Sequence, residues 1–118
     1  MLRYIVAFSI LTPGLSGCAG DLCGNTIGQT VLSPSGQAKA VVFNRDCGAT
    51  TGFSTHVSVL PSDEELPNDG GNLLVVDGTV PIALRWISES SLSVGSIGNA
   101  RVFRQESVVA DTQVSYVR

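Results

Sequence analysis

The chain has 118 residues, the length of one domain. Its formal charge is -3, and Lys39 is its only lysine. Nucleic-acid binders and polybasic membrane-surface proteins need a basic face for phosphates, so this balance argues against both. Charged residues at 14% fall well below the roughly 25% of average soluble domains, which argues against a charged disordered tail.

The first stretch reads as an address. Arg3 precedes an apolar run from Tyr4 to Leu11, and Pro13 and Gly14 then break any helix. A stable membrane span needs about 20 apolar residues, and this run is less than half that. Behind the break stands Leu15-Ser16-Gly17-Cys18. Small residues let an extended backbone enter a peptidase cleft, and the cysteine offers a thiol for a thioether. The pattern resembles the lipobox of bacterial lipoprotein precursors, over residues 1–18 alone. That resemblance implies that residues 1–17 are a signal peptide and that cleavage falls between Gly17 and Cys18. Cys18 would become an acylated N-terminus and the protein's attachment to the membrane. One acyl chain, at ~0.8 kcal/mol per buried CH₂, holds only marginally, whereas a diacylglyceryl group plus an amide-linked chain anchors durably. Ala19 rather than Asp after the cysteine implies sorting to the periplasmic face of the outer membrane over the inner membrane. The alternative is an ordinary secretory signal cut nearby, after Ala19 for instance.

Three cysteines are an awkward number for an exported chain. Lipidation of Cys18 leaves Cys23 and Cys47, for which an oxidising compartment predicts a disulfide. It would close a loop of roughly 25 residues and contribute about 3 kcal/mol. The other readings are a reactive thiol or a metal site. His56 is the sole histidine, so a zinc set is not present. No metal or cofactor is expected. Residues 18–26 are expected to form the lipidated N-terminus and tether, and 27–118 a single β domain. Loss of Arg3 with the leader makes the mature charge -4, six basic residues against ten acidic.

The mature chain has period-two patterning and no convincing helical period. Ser33-Pro34-Ser35-Gly36 is a turn, followed by a β-rich run from Gln37 to Asn44. Arg45 to Gly52 is a polar loop. From Phe53 to Leu60, Phe53, Thr55, Val57 and Val59 share one face, with Ser54, His56 and Ser58 on the other. Pro61 to Asn72 is an acidic, glycine-rich loop. Asp77-Gly78 predicts a hairpin between residues 72–76 and a strand from Thr79 to Ile87. In that strand Val80, Ile82, Leu84 and Trp86 face one way, and Pro81 implies an edge or a bulge. Ser88 to Ser91 and Gly98-Asn99 punctuate two more strands, Leu92 to Ile97 and Ala100 to Arg104. Near the C-terminus Val108, Ala110, Val114 and Tyr116 align against Asp111, Gln113 and Ser115. The fold class is all-β: a small antiparallel sandwich, open barrel or strongly twisted sheet of about six to eight short strands. Phe43, Phe53, Trp86, Phe103 and Tyr116 are its expected large core anchors. Two pieces look like propeller hairpins, but no repeat is present to close a propeller.

Few segments offer chemistry. Arg45, Asp46, Thr50, Thr51 and His56 together suit a loop presenting polar groups to a partner. The plainer reading is a turn in which Asp46 and the threonines satisfy backbone amides. Asp46, His56 and Ser54 or Ser58 suggest a hydrolase on paper. No nucleophile-elbow motif surrounds either serine, and no catalytic residue is assigned. The acidic loop has oxygen ligands for calcium but not EF-hand spacing, and reads as a solvated excursion. Arg85, Arg101 and Arg104 would attract an anion if they met. On separate strands they would discourage edge association, which is the favoured reading. The run from Ser33 to Ser58 resembles small bacterial envelope proteins, which implies a compartment and no mechanism. The expected function is therefore a lipid-anchored envelope protein with a non-catalytic binding or structural module and an envelope protein partner. An inhibitor or protective factor against an exported enzyme or toxin is the alternative, and a small hydrolase the third.

Overall fold

A computed structural model describes residues 22–48 and 52–117. The described residues form nine strands and no helix. They are β1 (Gly24–Leu32), β2 (Ala38–Asp46), β3 (Phe53–Pro61), β4 (Leu74–Asp77), β5 (Ala83–Ser88), β6 (Ser91–Gly95), β7 (Val102–Gln105), β8 (Val108–Val109) and β9 (Thr112–Val117). One sheet has the order β1-β2-β3-β4-β7 and the other β5-β6-β9-β8. The all-β expectation holds in its sandwich form, without a closed barrel. Pairing is antiparallel except between β6 and β9, which run parallel. β1 starts at Gly24, so Gly24 to Thr26 are ladder residues rather than free tether.

Valine-rich strands suit a pleated surface that packs on one side. Ala40 and Val42 of β2, Val57 and Val59 of β3, and Leu74 and Val76 of β4 form one wall of the core. Leu92 and Val94 of β6 form the other, with Leu84, Trp86, Val114 and Tyr116 packed against it. Trp86 Nε1–H donates to the Val31 carbonyl at 3.0 Å, tying β5 to the edge strand of the opposite sheet. The β5–β6 turn makes a second tie. Glu89 accepts from the Ser33 hydroxyl and the Ser35 N–H, both at 2.8 Å, and so clamps the β1–β2 turn. These bonds hold its carboxyl below the usual carboxylate range.

Several sequence expectations need correction. Phe53 and Phe103 are each 55% exposed and anchor nothing in the core. Phe53 sits on the last rung of the β2–β3 ladder, and Phe103 lies at a bulge of edge strand β7. Phe43 is fully buried, but outside the cluster between the sheets. Asp77-Gly78 is not a hairpin, because β4 pairs with β3 and β7 while β5 belongs to the other sheet. Gly78 has φ 82°, a backbone state that serves a sheet-to-sheet crossing as well as a hairpin. Buried Thr55 fixes that crossing: its hydroxyl donates to the Gly78 carbonyl at 2.6 Å and accepts from Val80 N–H at 2.9 Å. Pro81 lies in the crossing, ahead of β5, and removes no ladder bond. The inward set Val80, Ile82, Leu84 and Trp86 stands as expected. At the C-terminus a turn at Ala110 (φ 53°) resets the alternation, so Val109 packs inward while Val108 is exposed.

Candidate functional site

The distinctive segment begins at the disulfide. Cys23 and Cys47 are bonded, 24 residues apart in sequence. They flank the Gly24–Asp46 rung that opens the β1–β2 ladder. Beside the bridge, Arg45 Nη1 donates to Asn25 Oδ1 at 2.7 Å and Asn68 Oδ1 at 2.9 Å. Asn68 Nδ2 donates to the Cys23 carbonyl at 3.1 Å, and Asn25 Nδ2 to the carbonyls of Pro67 and Asp69. The Pro61–Asn72 segment keeps its acidic residues Asp63, Glu64 and Glu65 exposed, as a solvated loop does, but its Pro67–Asn72 end returns as a strap over the outer face of the five-stranded sheet.

The strap explains a buried histidine. Sequence alternation put His56 on a polar, outward face; it is 5% exposed. Its ring stacks on Phe43 with centroids 5.2 Å apart. Gly71 N–H donates to His56 Nδ1 at 2.8 Å, so Nδ1 is unprotonated and the neutral ring carries its proton on Nε2. That nitrogen meets Ser54 Oγ at 2.7 Å and donates to it. Burial first, and then the charge of Arg45, hold His56 below the ordinary imidazole value. A side chain at position 71 would strike the carbonyls of Val57 and Leu74, at 2.7 and 2.9 Å from its Cβ, which is why glycine stands there. Asn72 completes the strap. Its amide accepts from Val59 N–H and donates to Val59 O, both at 2.9 Å, taking the place of one backbone rung. Its own N–H donates to Ser58 Oγ at 3.1 Å.

This arrangement bears on each expected site residue. Ser54 and His56 do meet, but with the wrong tautomer: a general base needs a free lone pair on the nitrogen facing the hydroxyl. Asp46 does not join them. It opposes Phe53 on the other side of the sheet, and its Oδ1 accepts from Gly48 N–H at 3.0 Å. Thr50, Thr51 and Cys18 lie outside the described residues. Arg45 is held by asparagines rather than presented as a free group, and His56 is structural. Arg101 precedes and Arg104 lies within edge strand β7 of the five-stranded sheet, while Arg85 lies on β5 of the other. Among the described residues no cluster of three metal-binding side chains is present, and no helix is long and apolar enough to cross a membrane.

Sequence reading missed the residues that build this corner: Asn25, Asn68, Gly71, Asn72 and Asp77. The dense Asn/Gly content of residues 68–72 was the available signal, since such residues hydrogen-bond backbone and tolerate close approach. Comparison with family models, curated proteins and solved structures gives no match to this chain.

Proposed function

We propose that the chain is a lipid-anchored protein of the bacterial cell envelope whose β-sandwich is a non-catalytic binding module. The observation that carries the reading is the division of the three cysteines. Cys23 and Cys47 are consumed in a disulfide, which is compatible with an oxidising compartment, and Cys18 is left at the end of a lipobox. The short interval from Cys18 to the bridge supports a domain held close to the bilayer. The Ser54–His56 pair, locked in the non-basic tautomer, favours binding over hydrolysis. Ala19 favours the periplasmic face of the outer membrane.

Metabolic labelling with a fatty acid, followed by membrane fractionation, tests the anchor. The natural protein should lose residues 1–17, take up label and sediment with the outer membrane. Cys18→Ala should keep its leader and carry no label. An unlabelled natural product, soluble in the cytosol with its leader intact, overturns the proposal. Cross-linking in intact cells then tests for the envelope partner.

A further inference from the structure

Among the described residues the strap leaves one corner of the outer face open. The rung there runs from Asn25 through Arg45 and Ser54 to Asp77 across four strands. It ends beside Arg101, whose carbonyl accepts the Asp77 N–H at 2.8 Å. Arg45, Ser54, His56, Val75, Asp77 and Phe103 line an open hollow of about 300 Å³. That is the lower end of the range for small-molecule sites.

We propose that this hollow binds a saccharide ring. The inference rests on the binding-module reading and supplies its ligand class; it does not depend on the lipid anchor. Three features select the ligand. The first is a directed hydroxyl. Gly71 N–H fixes His56 Nδ1 as acceptor, and His56 Nε2–H donates to Ser54 Oγ, so the Ser54 proton points away from the histidine and is offered to the hollow. The second is the charge pattern. Among the described residues the Asp77 carboxylate has no side-chain partner, and it lies between Arg45 and Arg101 along the rung. An anion entering here meets Asp77, and a cation meets the Arg45 charge in the wall, with Arg101 behind Phe103. A neutral polyol avoids both conflicts, donating to the carboxylate while accepting from Ser54. The third is the Phe103 ring, more than half exposed and steadied by the Arg101 guanidinium 5.2 Å from its centroid. With the guanidinium on one face, the other face of the ring, beside a polar floor, suits the C–H face of a sugar.

The test is a backbone-amide NMR titration of the full-length chain in detergent. The probes are disaccharides of glucose, galactose, mannose and N-acetylglucosamine, with sodium phosphate and free lysine as anion and cation. A hollow this open is expected to bind with a dissociation constant on the order of 1 mM. At least one sugar should give saturable shifts at Ser54, Asp77, Arg101 and Phe103. Asp77→Asn and Phe103→Ala should each weaken that binding about tenfold, the size of one lost hydrogen bond or stacking contact. Arg85→Ala, on the other sheet, should leave it unchanged and serve as the folding control. Absence of saturable shifts with every sugar overturns the proposal, as does an equal response at these amides to phosphate or lysine alone. If sugars are silent while an in-cell cross-link to a partner persists, the saccharide site fails and the binding-module reading stands; loss of both removes both.

Discussion

The central strands of the five-stranded sheet and the strands of the smaller sheet are built from similar residues, yet they are buried differently. β5 alternates between exposed and half-buried positions from Ala83 to Ile87, and β9 does so after a buried Thr112. β3 is buried without interruption from Thr55 to Val59, although Thr55, His56 and Ser58 are polar. The difference comes from outside the strand. Water covers the second face of β5 and β9, while the strap covers that of β3 and supplies partners for His56 and Ser58; Thr55 faces inward and bonds the sheet-to-sheet crossing. A polar residue on an alternating strand thus marks the wet face only where nothing returns over it.

Two phenylalanines give the widest test of that contrast. Phe43→Ala removes a fully buried ring that stacks on the strap-bound His56 and should cost about 3–5 kcal/mol. Phe53→Ala removes one that is 55% exposed and should stay within about 1 kcal/mol by urea unfolding. Equal effects would mean that the strap shields nothing. Next in size is the bridge. Cys23→Ser with Cys47→Ser should lower stability by about 2–5 kcal/mol. It should also speed hydrogen exchange at Gly71 N–H, which reports on the strap; unchanged exchange there would uncouple the two.

His56→Ala leaves the Gly71 N–H buried without an acceptor and should cost about 1–3 kcal/mol. The same bond gives a pH signature. The folded-state value of His56 lies below its ordinary 6.5, so the unfolded chain binds the extra proton first. Stability is complete above about pH 6.5 and falls as pH drops from there through the lowered folded value. His56→Ala should erase that limb of the unfolding profile. The smallest effect belongs to Glu89, on the exposed turn. Its folded value lies below 4.5, so its contribution is present above that pH and is lost as pH falls through the lowered value. Glu89→Gln should flatten this acid limb with only a slight change in the midpoint at neutral pH.

Much of the fold was legible where a local pattern decides it. The inward row Val80, Ile82, Leu84 and Trp86 follows from alternation, and the Ser33–Gly36 turn from its proline and glycine. The crossing at Asp77-Gly78 was not legible. The same dipeptide serves a hairpin and a jump between sheets, and only Thr55, more than twenty residues earlier, distinguishes them. The parallel β6–β9 pairing escaped for the same reason: β7 and β8 intervene in the sequence. At the site, Arg45 and His56 were singled out as chemical types, but their partners Asn25, Asn68 and Gly71 come from distant segments. Their roles became clear only once those segments were in place.

The position of the sulfur bridge has a mechanical consequence. β1 is an edge strand, and a pull on the chain ahead of Cys23 would otherwise unzip it from β2 one rung at a time. Because Cys47 follows directly on β2, the load passes through the sulfurs into a strand paired along its whole length with β3. Traction is thereby shared between the β1–β2 and β2–β3 ladders instead of falling on the rim strand alone.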